Sequence, residues 1–452
     1  MSDEAFRRNG PGLLAVFVVA LAASAGFLFV LYPSASTGLG YSIDGYQEIA
    51  LQLIRGHGFA VDATSGPTAG RPPLYPMFLA MLYSMFGTGA VAVMWAHAIL
   101  GALTCSLLVL LGCRMFDRAV GVVAGLMFAV YPPHLWWSAI IMPETLLVFL
   151  VVAACLGLVV LIQTPSQRRA VVAGALLGAT ALCNSVILLF PPVLLLVVAA
   201  SGRLRRAYLR YAPALFAAMW VVILPWMVRN EAIFHRPIPV NWGAGWNYTK
   251  GQVMVEMHMD RPREPMWTPD QASSDEMIRI LRANGFGRGD AGHGLEVLKS
   301  KGIPGLAEEE SLQRMAFEWV RSNPQRALKK FAVNLGLYWY FSRHMLVYKL
   351  LNFPLCGLAL LGIALGAWRR VETRALLLLS AYFYLTYAAI LACARYSLQI
   401  MPLLILWVAA AFVALARRQR GQMTLPARPL AATVVPARSR VPGANDPAGR
   451  PS

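Results

Sequence analysis

The feature that most constrains this chain is the recurrence of apolar runs long enough to cross the hydrocarbon core of a bilayer, which takes about 20 residues in a helix. They fall near Gly12 to Tyr32, Gly89 to Cys113, Ala119 to Tyr131, Pro143 to Ile162 and Ala170 to Cys183. They continue near Val186 to Ala200, Tyr211 to Val228, Leu350 to Trp368, Ala375 to Ala392 and Leu398 to Ala416. The expectation is an all-α, polytopic membrane protein of about ten spans. Composition agrees: only 14% of the 452 residues are charged and 58% are hydrophobic, against roughly a quarter charged in a soluble domain.

A net charge of +18 raises the question of nucleic acid, and its distribution answers it. Basic residues cluster in alternate connections: Arg7 and Arg8, Arg114 and Arg118, Arg168 and Arg169, Arg203 through Arg210, Arg369 through Arg374, and Arg417 onward. Lys and Arg concentrate on the cytoplasmic side of membrane proteins. The charge is therefore topological and implies no nucleic-acid partner. Both termini are expected in the cytoplasm, and residues 41–88, 132–142 and 229–349 outside, as in a plasma (inner) membrane protein.

The run "LYPMFLAMLYSMFG" is apolar but too short to span, and counting it as a span would invert every basic loop after it. It reads as a helix at the outer interface. Arg7 and Arg8 before the first span resemble a signal-peptide n-region, but the apolar stretch is longer than an h-region of about 7 to 15 residues. The organisation expected is a membrane module over 1–228 with an outer loop at 33–88, an extracytoplasmic loop domain of mixed or helical structure at 229–349, C-terminal spans over 350–416, and a basic cytoplasmic tail over 417–452. That tail, rich in Pro, Ala and Arg, reads as disordered and close to anionic lipid. All six cysteines lie in or at the ends of spans, which suggests neither a disulfide framework nor a thiolate metal site.

A connection of about 120 residues is usually functional. Within 229–349, "RNEAIFHRPIPVNWGAGWNYTKGQ" suggests irregular structure against the membrane. "AEEESLQRMAFEWVRSNP" has Leu312, Met315, Trp319 and Val320 on one helical face, acids in the first turn and Asn323-Pro324 as its stop. "NLGLYWYF" supplies aromatics suited to a headgroup interface. "GFGRGDAGHG" has neither a preceding strand nor a closing Lys-Ser/Thr, so it reads as a loop rather than a phosphate cradle. The triplet Asn247-Tyr248-Thr249 matches a glycosylation sequon, a pattern too frequent by chance to carry weight.

Polar groups at the ends of spans are the candidates for chemistry. Asp44 precedes a helical pattern, Tyr46, Ile49, Ala50, Leu53 and Ile54, and reads equally as its N-cap. Glu144 follows Pro143 at the start of a span, where an acid also favours the helix dipole. Arg71 lies in the polar loop, while Arg229, Lys250, Arg395 and Tyr396 sit where side chains snorkel to the interface. The seven histidines are scattered without His-x-x-x-His spacing. Asp44, Glu144 and a distant histidine leave room for a divalent metal that spacing does not establish, and no other cofactor is indicated.

The succession "DGYQEIALQLIRGHGF", "RPPLYPMFLAMLYSMFG", "YPPHLWWSAIIMPETLLVFL", "LPWMVRN" with "NWGAGWNYTKG", and "ARYSLQIMP" resembles the membrane-embedded GT-C glycosyltransferases. It is most similar to the bacterial branch related to protein O-mannosyltransferases and the lipid A aminoarabinose transferase. The resemblance implies that Asp44 takes the place of the acid proposed as base in the first outer loop. It matches Glu144 to the acid opening the fourth span, and Arg395 with Tyr396 to the Arg-Tyr opening the last. Two positions depart from the pattern: many relatives carry a second acid where this chain has Gly45, and an arginine where it has Asn184.

The expected activity is transfer of a sugar from a polyprenyl-phosphate donor to an acceptor hydroxyl of a lipid, polysaccharide or protein on the outer face. Arg71, Lys250 and Arg395, with Tyr396, would bind the donor phosphate, and Asp44 would take the hydroxyl proton from the opposite face of the sugar, with Glu144 assisting. A single base opposite the leaving group implies inversion. A carrier of lipid-linked sugar and an assembly subunit without catalysis remain the alternatives.

Overall fold

The computed structural model describes residues 3–28, 44–200, 209–260, 274–283, 285, 303, 305–342, 345–365, 367 and 370–420. Regular structure among them is helical, apart from an isolated bridge between Ala60 and Pro67. The first half contains α1 (Asp3–Gly26), α2 (Tyr46–Ile54), α3 (Leu74–Phe86), α4 (Ala90–Met115), α5 (Arg118–Ala129), α6 (Pro132–Ser138), α7 (Glu144–Gln163) and α8 (Gln167–Cys183). A 3-10 turn over Ser185–Leu189 leads into α9 (Phe190–Ala200) and α10 (Ala212–Phe234). Then come α11 (Ala244–Asp260), α12 (Ser274–Ala283), α13 (Leu306–Ser322) and α14 (Pro324–Tyr340), followed by α15 (Met345–Ala364), α16 (Val371–Ile390), the single turn α17 (Ala394–Ser397) and α18 (Met401–Gln419).

Each expected span is helical where it is described, and among the described residues six helices are long and apolar enough to cross a bilayer: α4, α7, α10, α15, α16 and α18. They make the chain a multi-pass membrane protein. A seventh arises if α5 and α6, bent by 55° at Val130 and Tyr131, are one span. The bend has a local cause, because Pro132 and Pro133 withhold two backbone donors and restart the helix. The apolar part of α1, Gly10–Gly26, is shorter. Helix α8 stops at Asn184, which adopts an extended conformation and accepts a hydrogen bond from Val186 N to open the 3-10 turn. The run "LYPMFLAMLYSMFG" forms one helix, α3, through Phe86. The glycine-rich loop beyond Gly285, most of the basic tail, His293 and His344 lie outside the described residues.

Glycines let the helices approach. Gly174 and Gly178, four apart on α8, face α10 so closely that a Cβ on Gly174 would run into Leu215 O and one on Gly178 into Met219 O. Gly121 and Gly125 do the same for α5 on α4, and Gly362 for α15 against Trp407 of α18. Without water to drive association, such close contact is what holds helices together in lipid. At the end of α7 away from Glu144, polar contacts tie helix ends. Asp117 caps α5 and pairs with Arg417 at 2.7 Å, and Gln163 Nε2 donates to Glu372 and to Arg114 O.

A second hydrophobic cluster, including Trp246, Val253, Leu281, Leu312, Met315 and Trp319, joins α11, α12 and α13. Helix α13 buries Leu312, Met315 and Trp319 as expected and stops at Asn323, but Val320 is 37% exposed and Ala316 is buried instead. The larger correction is α11, where irregular structure was expected. The carboxylate of Glu309, fully buried, accepts hydrogen bonds from Gly245 N (2.7 Å) and Trp246 N (3.1 Å). A cap supplied from 64 residues downstream satisfies the first amides of a helix that its own sequence does not announce. Thr249 of the sequon is fully buried in it.

Candidate active site

Asp44 stands one residue before the position expected of an N-cap. Gly45 is the N-cap of α2, with φ 77°, and no side chain caps the helix. That left-handed conformation is cheap only for glycine, and a Cβ there would also lie 3.1 Å from Ile303 Cδ1. A second acid at 45 would be strained, so the departure from the family pattern has a local physical cause. Relieved of capping, the Asp44 carboxylate faces two arginines.

Arg395 NH1 donates to Asp44 Oδ2 at 3.1 Å, and Arg71 NH2 lies 3.8 Å from Oδ1. Arg71 is itself fixed by its Nε, which donates to the Asp44 carbonyl at 2.7 Å, and by NH1, which donates to Gly70 O at 3.2 Å. Arg395 is presented by α17, a single turn inserted between α16 and α18. Its NH2 donates to Tyr396 Oη at 2.9 Å, while its Nε lies 3.8 Å from Glu144 Oε1 without forming a hydrogen bond. Glu144, the first residue of α7, is 4% exposed, and its Oε2 has no partner among the described residues.

The chain thus brings together five of the six residues expected at the site, from four separate elements. Lys250, on α11, lies over the Trp246 ring at 5.1 Å and adds its field at Asp44. Burial works against the charge of Asp44, but Arg395, Arg71 and Lys250 outweigh it and hold the carboxyl well below the usual range. Asp44, expected across the sugar from the cations, stands beside them, 3.1 Å from Arg395 and 3.8 Å from Arg71.

Sequence reasoning missed the support behind Arg395. Tyr396 stacks on Tyr387, centroids 4.2 Å apart and planes 8° from parallel. The Tyr387 hydroxyl accepts from Asn184 Nδ2 and from Gln399 Nε2, both at 2.9 Å. Asn184, the second departure from the family pattern, therefore ends α8 and anchors the aromatic pair that positions Arg395. The only sequence signal was a polar Gln399 four residues past Arg395. Arg229 does not join the site: it donates to Thr68 O and lies over the Trp226 ring, fastening the first loop.

Asp44 and Glu144 converge on a guanidinium, and no group of three His, Cys, Asp or Glu capable of holding an ion occurs among the described residues. Two histidines of the helix bundle serve packing. His97 is buried between Tyr75 Oη (3.2 Å) and Ser138 O (3.1 Å), and His134 stacks on Phe128.

A solved structure of the archaeal oligosaccharyltransferase AglB from Archaeoglobus fulgidus, in complex with an inhibitory peptide and a dolichol-phosphate, superposes over 92% of this chain with a TM-score of 0.53 at 14% identity. The apo form of an Archaeoglobus fulgidus oligosaccharyltransferase matches at a TM-score of 0.52 and 15% identity. The chain shares the fold of these oligosaccharyltransferase structures. It covers 52% of that AglB chain and 53% of the apo chain, so it spans about half their length. ArnT from Cupriavidus metallidurans, bound to undecaprenyl phosphate, aligns over 92% of this chain and 79% of its own at 15% identity, with a TM-score of 0.40. Residues 70–228 match the family model described as dolichyl-phosphate-mannose-protein mannosyltransferase. No curated protein matches the sequence.

Proposed function

We propose that this protein is a glycosyltransferase moving a sugar from a polyprenyl-phosphate donor to an acceptor hydroxyl on the extracytoplasmic face of the plasma (inner) membrane. The observation that carries the reading is the convergence of Arg71 and Arg395 on Asp44 beside Glu144, in a GT-C fold. The mannosyltransferase family match over 70–228 and the dolichol-phosphate of the AglB complex indicate the class of donor.

As the bond from anomeric carbon to phosphate oxygen breaks, negative charge collects on the phosphate. Fixed guanidiniums stabilise that charge more in the transition state than in the ground state, and an arginine adds a fork matched to phosphate oxygens. Lys250 adds its field. Asp44 accepts the proton of the attacking hydroxyl, a contribution of about a hundred- to ten-thousand-fold. Glu144 Oε2, a buried acceptor lacking a donor, fits a hydroxyl of acceptor or sugar, which assigns it to orientation. Tyr396, held by Tyr387, keeps Arg395 in place. The charge pattern of the loops supports cytoplasmic termini, and the second cluster supports 229–349 as a small outer domain.

The test is incubation of the purified protein with a radiolabelled polyprenyl-phosphate sugar and a hydroxyl acceptor. Release of polyprenyl phosphate is expected from wild type and none from Asp44→Asn. Donor moved across a vesicle without cleavage would mean a carrier, and wild-type turnover by Asp44→Asn would remove Asp44 from the reaction.

A further inference from the structure

We infer that Asp44 and the donor phosphate use the same two guanidiniums, so that Asp44 is both the proton acceptor and the anion the phosphate must compete with. This rests on the reading of the site as one that binds a lipid-linked phosphate. The cations suited to the phosphate are already engaged: Arg395 by a 3.1 Å hydrogen bond to one carboxylate oxygen, Arg71 at 3.8 Å from the other. Arg395 Nε is buried without a hydrogen-bond acceptor. Leaving such a group unsatisfied is costly, so the guanidinium has unused capacity for a further oxygen. Arg71, in contrast, is tethered to backbone carbonyls at 2.7 and 3.2 Å. It stays in place while its NH2 end, the loosest contact, changes partner.

The charge balance of the reaction gives this arrangement a purpose. With donor bound, the pair of guanidiniums faces two negative charges, one on Asp44 and one on the phosphodiester. The acceptor oxygen attacks the anomeric carbon, the bond to phosphate oxygen breaks with its electron pair going to the phosphate, and the hydroxyl proton passes to Asp44. Asp44 is now neutral and the phosphate monoester carries the second charge. The two cations face the same total throughout, and one negative charge has moved from carboxylate to leaving group across them. A carboxylate held this tightly by two arginines is a weak base alone. Each share of guanidinium that the phosphate takes makes it a better one, so proton abstraction is favoured only when donor is present. The free acceptor is thereby left unactivated, and water with it.

The consequence for binding is opposite in sign to the consequence for turnover. Removing the Asp44 charge frees both guanidiniums, so Asp44→Asn, inactive in transfer, should bind undecaprenyl phosphate in detergent micelles about tenfold more tightly than wild type, the equivalent of roughly 1.4 kcal/mol. Asp44→Glu keeps the competing charge and should bind close to wild type. If the Asn variant does not fold, Asp44→Ser carries the same expectation with a smaller side chain. Wild-type binding with an equal or weaker affinity in the uncharged variants overturns the inference and leaves the donor assignment standing. No binding by any of the proteins overturns both.

Discussion

Replacing Arg395 separates the electrostatic role of the site from its structural one. Arg395 lies 3.1 Å from Asp44 and 3.8 Å from Glu144, with its side chain 20% exposed and theirs 14% and 5%. At an effective dielectric of about 20, contacts of this length correspond to roughly 5 and 4 kcal/mol of attraction before desolvation is subtracted. Desolvation cancels most of it. Deleting one partner of a buried pair costs about 3–5 kcal/mol because the other charge is left unpaired, and the residual exposure puts Arg395→Ala near 3 kcal/mol in thermal unfolding. Arg395→Lys keeps the charge, and most of that stability returns. Turnover should not return with it, because the ammonium lacks the fork that holds Asp44 and Tyr396 together and later meets phosphate oxygens. Removing a fixed donor from a developing anion costs about 10²–10³ in kcat, and Arg395→Ala should show that loss in release of polyprenyl phosphate, with a raised KM for donor. An effect confined to the KM for acceptor, or full turnover by the Ala variant, would refute the assignment of Arg395 to the leaving group.

Further expectations follow from other contacts. Because the folded-state value of Asp44 lies below its ordinary 3.8, its contribution to stability is complete above that value and fades as pH falls through the depressed one. The melting difference between wild type and Asp44→Asn should therefore be flat from about pH 5 to 8 and narrow below about pH 4. Gly362→Val should destabilise by about 1–3 kcal/mol in thermal melting, since a side chain there meets the Trp407 backbone of α18. Glu309→Ala removes two charged hydrogen bonds from the start of α11 and should cost about 2–3 kcal/mol, with hydrogen exchange rising first at Gly245 and Trp246.

The sequence by itself determined the class of the molecule. Apolar runs and basic connections are local properties, readable because lipid imposes one solvent on every span, and they yielded a helical multi-pass protein. The candidates Asp44, Glu144, Arg71 and Arg395 were legible for the same reason: charge beside a span is expensive and stands out. What only the tertiary structure decided is how those charges are spent. That Gly45 takes the cap position, that Asp44 holds both arginines at once, that Glu309 caps α11 from 64 residues away and that Asn184 braces Tyr387 are matters of distance between elements remote in the chain. No periodicity encodes them.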